Sequence, residues 1–276
     1  MLVGVNRPVS GRARGTGLIQ ACHPLPTLAV TVLTAVLFSS AGNPGLICVV
    51  GGLAVLTGQL SIGWSNDLID RHRDLSVGRS AKPIVSGQVS AQLLRAACAV
   101  ALVLTVPLSL VLGWPAGLLH LAAVGAGWAY NVKLKSSVTS PLPYLFAFAA
   151  LPVIATLAHH RQWPAWWVVV AAGLIGVAAH FANVLPDLAA DAETGVRGLP
   201  QRLGYSWALA VATVLMAAVS FLILLSRTRG STAIGLAVVL VLAGVSSRSK
   251  ADQAFGLVML AAAINVAVLV GSGGLR

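Results

Sequence analysis

Apolar runs long enough to cross a lipid bilayer recur from one end of this chain to the other, and no other property restricts its fold so severely. A helix needs roughly 17–25 residues to span the hydrocarbon. About nine segments meet that criterion, at 24–42, 45–65, 88–112, 115–131, 141–158, 164–184, 206–225, 231–246 and 252–271. The expected fold class is therefore all-α, a polytopic membrane helical bundle of about nine transmembrane helices. Composition agrees, since 57% of residues are hydrophobic and 9% charged, where soluble domains carry about 25% charge. The polar stretch NRPVSGRARGTG precedes the first run, so residues 1–23 read as a cytoplasmic tail and 24–276 as one membrane domain. So late a first run, followed by many more, does not resemble a cleavable signal.

The net charge of +11 does not point to nucleic acid, because the basic residues are scattered between spans. They give orientation instead. With the N-terminus inside, Arg7, Arg12, Arg14, Arg71, Arg73, Arg79, Lys82, Lys133, Lys135, Arg197, Arg202, Arg248 and Lys250 are cytoplasmic, while Arg161, Arg227, Arg229 and Arg276 are outside. That partition follows the positive-inside rule and implies an integral protein of the cell's inner or plasma membrane. Cys22, Cys48 and Cys98 lack metal-ligand spacing and read as small packing side chains.

Negative charge is scarce and clustered. Asp67, Asp70 and Asp74 form one group, Asp187, Asp191 and Glu193 a second, and only Asp252 lies apart. Carboxylates held together in an apolar protein require a compensating cation. Four spans separate the groups, so both emerge on the cytoplasmic side.

The two groups are copies of one pattern. At a constant offset of 117 residues, Asn66, Asp70, Asp74, Gly78, Pro83 and Gly87 fall onto Asn183, Asp187, Asp191, Gly195, Pro200 and Gly204. The chain thus divides into two related, parallel halves. On a helix, positions i, i+4 and i+8 share a face, so each Asn and its two Asp would present oxygen atoms over two turns. Hard oxygen ligands of this kind suit Mg²⁺, which commonly joins a few carboxylates to phosphate groups. The neighbouring cations Arg79, Lys82, Lys135, Arg197 and Arg202 are the groups a diphosphate would need.

These residues resemble the UbiA superfamily of intramembrane prenyltransferases, of the 4-hydroxybenzoate polyprenyltransferase-like kind. Its two aspartate-rich motifs are matched by NDLIDRHRD at 66–74 and DLAAD at 187–191. Their surroundings match as well, in KPIVSG at 82–87, YNVKLK at 130–135 and GVRGLPQRLG at 195–204. The resemblance implies a central cavity in which Asn66, Asp70, Asp74, Asp187 and Asp191 hold Mg²⁺, with Asp70, Asp74, Asp187 and Asp191 catalytic. It further implies that Asp67, Asn183, Arg79, Lys82, Lys135, Arg197, Arg202 and Tyr130 serve the isoprenoid diphosphate. His23, in CHPLPT at 22–27, occupies a place where many relatives carry Arg, and is expected as a replacement polar contact with substrate.

The reaction so implied is Mg²⁺-dependent transfer of a prenyl chain to an aromatic or quinone-precursor acceptor, or another small lipophilic acceptor, inside the bilayer. A membrane terpene cyclase, transfer to a lipid headgroup, and a transporter of cations or anionic metabolites are the alternatives. Against transport, the carboxylates cluster at the cytoplasmic face and not at the bilayer midplane. Glu193 is out of phase with the second stripe, His180 reads as a hydrogen-bonded intramembrane histidine, and His159, His160, Trp163, Trp166 and Trp167 read as an interfacial belt.

Overall fold

A computed structural model describes residues 11–158, 162–226, 244, 250–271 and 275. The described elements are helical throughout: α1 Gly11–Ala21, α2 Pro24–Ser40, α3 Gly45–Ser76, α4 Ala91–Val111, α5 Trp114–Val132, α6 Pro141–Leu157, α7 Trp166–Val184, α8 Leu188–Glu193, α9 Leu199–Leu203, α10 Tyr205–Leu225 and α11 Ala251–Gly271. Short 3₁₀ turns occupy Leu134–Ser136 and Leu185–Asp187. Eight of the expected runs coincide with α2 to α7, α10 and α11; the run at 231–246 lies outside the described residues.

By length and apolar composition, five stretches among the described residues can each cross a membrane: α3, α4, the stretch from α7 through α8, α10 and α11. A sixth forms if α1 and α2, bent by 69° at their junction, act as one. The expected count of about nine is not reached by this measure, partly because α6 has only 17 residues. The chain is an integral membrane protein of helical bundle form.

The 117-residue offset reappears in three dimensions. Pro24–Ser40 and Pro141–Leu157 are both 17 residues long and begin in register on the tripeptide PLP. After each aspartate stripe the backbone closes in the same way. Val77 N–H donates to the Arg73 carbonyl at 3.3 Å and Arg79 N–H to the Asp74 carbonyl at 3.0 Å. Their counterparts are Thr194 to Ala190 at 3.2 Å and Val196 to Asp191 at 2.9 Å. Both caps turn on a glycine with positive φ, Gly78 at 65° and Gly195 at 73°, a conformation that costs other residues free energy. The halves diverge at one place. Pro186, which stands where the first half has Ile69, cannot continue the helical ladder, so the second stripe breaks into a 3₁₀ turn while α3 runs straight through its own.

The segment expected as a tail contains α1, which packs on the bundle. Trp64 Nε1 donates to the Leu18 carbonyl at 2.9 Å, and Leu18 and Ala21 join Ile84, Val89 and Leu94 in a small apolar cluster. The chain before α2 thereby lies directly against α3 at Gly63. A methyl group on Gly63 would stand 2.6 Å from the Cys22 carbonyl oxygen. Close helix approach over small residues is the usual device of membrane bundles.

Gly63→Ala is accordingly expected to destabilise the purified protein by about 1–3 kcal/mol through forced backbone movement. Gly52→Ala, where a Cβ meets nothing within 4 Å, serves as the control. Thermal unfolding in detergent checks this, and equal midpoints for the two variants would contradict it.

Candidate active site

A cavity of about 300 Å³ opens between the two halves. One end is polar and lined by Asn66, Asp70, Arg73, Arg79, Lys82, Lys135, Asn183, Asp187, Asp191 and Gln201. The remainder is largely apolar, with Val30, Val55, Val124, Phe148, Leu151, Phe255 and Met259 among its walls. α3 supplies a lining stripe through Val55, Gln59, Ile62, Asn66 and Asp70, the three- and four-residue spacing of one helix face.

Arg79 ties the two motifs together. Its guanidinium lies 3.4 Å from Asp74 of the first and 2.9 Å and 3.9 Å from Asp187 and Asp191 of the second. Asp74 is almost wholly buried, and its Oδ2 has no hydrogen-bond partner among the described residues. Asp70 is held twice, by Arg73 at 2.6 Å and by Lys135. Burial pushes the Lys135 ammonium pKa down and the facing Asp70 carboxylate opposes it, so as pH rises this cation gives up its charge before an ordinary lysine does.

Asp67 faces a separate trio. Lys82 Nζ lies 2.5 Å and His23 Nε2 3.2 Å from its Oδ1, while its buried Oδ2 is unpartnered among the described residues. His23 and Lys82 reach the cavity, whereas Asp67 is behind them. His23 has φ 54°, the one positive φ among the described non-glycine residues, immediately before Pro24. Asn66 gives its amide N–H to Asn131 Oδ1 at 3.2 Å, leaving its own carbonyl oxygen for the cavity. Asn131 is fixed in turn by Ile62 O and Ser65 Oγ, each at 2.8 Å.

Of the residues singled out in the sequence, Asn66, Asp70, Arg79, Lys82, Tyr130, Lys135, Asn183, Asp187, Asp191 and His23 line the cavity. Asp67 and Asp74 act from behind the lining through ion pairs. Arg197 and Arg202 are not brought to it: the Arg202 Nε donates to the Arg197 carbonyl at 2.8 Å on the exposed side of the turn. Their neighbour Gln201 takes that place, donating to Asp191 Oδ2 at 2.8 Å. One residue along a helix rotates a side chain by about 100°, which decides between Gln201 and Arg202. Arg73 was also legible, three residues beyond Asp70. His180 is fully buried behind Tyr130 and Tyr144, with ring centroids at 5.5 Å and 4.7 Å, and contacts Ser140 Oγ at 3.0 Å.

The donor set fits Mg²⁺. All candidate ligand atoms are oxygens, Asp74 keeps a buried carboxylate oxygen uncommitted, and arginine or lysine neutralises every carboxylate in turn. Among the described residues no three acidic, histidine or cysteine side chains come close enough to cage an ion unaided. Mg²⁺ ordinarily takes only one or two carboxylates together with water and substrate phosphates, so this arrangement matches its habit.

Comparison with known proteins follows the same lines. The model of the UbiA prenyltransferase family matches residues 28–254. The bacteriochlorophyll synthase 33 kDa chain of Cereibacter sphaeroides is 33% identical over 185 residues, which are 62% of this chain and 60% of that protein. The chain thus matches about three-fifths of that relative's length. A UbiA homolog from Archaeoglobus fulgidus bound to GPP and Mg²⁺ superposes with a TM-score of 0.73 at 17% identity, over 93% of this chain and 98% of the other. A UbiA homolog from Aeropyrum pernix K1, in its apo form, gives 0.70 at 20% identity over 89% and 97%. These structures establish a shared fold.

Because Arg79 is the cation shared by three carboxylates, Arg79→Leu is expected to cost about 1–3 kcal/mol in EDTA, mainly through Asp74, since the half-exposed Asp187 is screened. Millimolar MgCl₂ should restore part of the loss. Thermal unfolding with and without the metal checks this, and a variant as stable as the parent in EDTA would contradict it.

Proposed function

The chain belongs to the UbiA prenyltransferase family, and on that footing we propose that it transfers a prenyl group from an isoprenoid diphosphate to a lipophilic acceptor within the membrane. The observation that carries the reading is the cavity itself, with carboxylates and cations at one end and an apolar interior beyond. A diphosphate fits the polar end and an isoprenoid chain the rest. Under this proposal the N-terminus and the polar end face the cytoplasm.

Asn66, Asp70, Asp74, Asp187 and Asp191 would hold Mg²⁺, which when bound supplies electrostatic neutralisation of the leaving diphosphate. Arg79, Lys82 and Lys135 exchange their carboxylate partners for phosphate oxygens, and Arg73 does the same beside Asp70. With those charges in place the allylic C1–O bond breaks, its electron pair leaving on the diphosphate. The apolar walls exclude water from the resulting cation. The acceptor's nucleophilic atom bonds to C1 and loses its proton to the released diphosphate. Tyr130 meets both Tyr144 and His180 edge-on, and Tyr144 lies tilted against His180, so the three rings form a flank where the polar and apolar regions meet. Arg197 and Arg202 have no assigned part, since they lie off the cavity lining.

An aromatic or quinone-precursor acceptor is the first reading. The similarity to a bacteriochlorophyll synthase chain adds pigment precursors of that kind as a second. Both are separable by mass spectrometry of products formed by the purified protein with Mg²⁺, prenyl diphosphates of graded length and a pool of both acceptor types. A prenylated adduct that disappears in EDTA is the expected result. A cyclised hydrocarbon formed without acceptor would replace transfer by cyclisation.

Asp70→Ala and Asp187→Ala should each lower turnover by at least ~100-fold while the protein stays folded. Arg202→Ala should remain near the parent. Near-normal turnover in both aspartate variants would remove the metal-dependent reading.

A further inference from the structure

A second polar spot interrupts the apolar part of the cavity, and the diphosphate chemistry proposed above makes no use of it. His120 on α5 and Gln59 on α3 both line the cavity. Gln59 lies seven residues before Asn66, roughly 10 Å away along the axis at about 1.5 Å per residue. Around them the lining is aliphatic or aromatic, including Val55, Val124, Leu151 and Met259.

The hydrogen bonds of His120 assign its tautomer. Ser109 Oγ has a single hydrogen and donates it to the Thr105 carbonyl at 2.5 Å. The 2.7 Å contact between Ser109 Oγ and His120 Nδ1 must therefore be donated by the ring. Nε2 is left with its lone pair and no partner among the described residues. The ring is 97% buried, from its 3% exposure, and its Nε2 edge passes over Gly58, where an added Cβ would come within 3.5 Å of that nitrogen. Gln59, the next residue on α3, likewise has no hydrogen-bond partner for its amide among the described residues. An acceptor nitrogen and a primary amide thus face one apolar space inside the membrane. A purely hydrocarbon ligand covering them would strip both of water and leave them unpaired, which is the costly arrangement.

We propose that His120 and Gln59 form a subsite for a hydroxyl group carried by a lipophilic ligand, with His120 Nε2 accepting its hydrogen and the Gln59 amide contacting its oxygen. The inference rests on the prenyl-transfer reading for the orientation of the cavity. The hydroxyl has two possible sources, the far end of the donor chain and the second substrate.

Equilibrium binding to the purified full chain with Mg²⁺ tests it, using geranyl diphosphate, its derivative hydroxylated on the terminal carbon, and 4-hexylphenol added alongside geranyl diphosphate. His120→Leu and Gln59→Leu should each weaken binding of a hydroxylated probe about tenfold, while geranyl diphosphate itself changes by less than about twofold, as expected of a ligand without that group. Loss confined to the hydroxylated diphosphate assigns the group to the donor chain; loss confined to the phenol assigns it to the second substrate. If both hydroxylated probes bind the variants as they bind the parent, or neither binds the parent, the subsite is refuted. Should His120→Leu fail to fold, Gln59→Leu decides alone, because that side chain anchors nothing in the described structure. Failure of geranyl diphosphate to bind the parent would instead count against the prenyl-transfer reading, and 4-hexylphenol measured alone on parent and variants would then decide the subsite.

Discussion

The structure turns on one arginine. Carboxylates from two halves of an apolar bundle are brought face to face, and without a cation between them their repulsion would drive the halves apart. Arg79 lies between Asp74 on one side and Asp187 and Asp191 on the other. It can do so because the glycine-capped turn after α3 carries it back over the end of its own helix, its backbone N–H donating to the Asp74 carbonyl. The second half makes the same turn but places Val196 at the equivalent position. One half thus supplies the cation that both require.

Much of this was legible in the sequence because it is periodic. The 117-residue offset located both stripes and both caps, and the backbone reproduces it down to matching hydrogen bonds. The same offset extends further than the stripes suggested, since PLP at 24–26 and PLP at 141–143 open two helices of identical length. Apolar run length located the helices, yet it does not say which of them crosses the membrane unaided. α6 is short, and α2 continues the bent α1. α1 itself was hidden by its polar composition, and its order comes from tertiary contacts with Trp64 and Leu94 that no local pattern announces.

What the sequence concealed was side-chain direction. Near the second motif the run RGLPQRLG offers arginine, glutamine and arginine within six positions, and charge complementarity favours the arginines. The short helix α9 turns Gln201 inward and Arg202 outward. Pro186 is a similar case: its effect on the helix is readable, but not the resulting shift of Asp187 to a half-exposed position opposite Arg79. His120 gave no signal at all, because a lone histidine in an apolar run reads the same whether it packs or faces a cavity. Its place beside Gln59 in the cavity lining distinguishes the two.

Charge balance explains why so many cations and carboxylates share one end of the cavity. Asp67, Asp70, Asp74, Asp187 and Asp191 face Arg73, Arg79, Lys82 and Lys135, five negative groups against four positive ones when histidine is left aside. A site so nearly neutral is stable when empty, which an unpaired carboxylate cluster in an apolar bundle would not be. It is poorly suited to a diphosphate arriving alone, which would add negative charge beside the aspartates. A divalent cation arriving alone would displace arginine and lysine into a low-dielectric space. Under the proposed prenyl transfer the two ligands, arriving together, would give every displaced group a new partner, the metal for the carboxylates and phosphate for the basic side chains. On that proposal the paired arrangement would be a template of the ligated one, with Arg79 standing between the carboxylates of the two halves where opposite charge is needed.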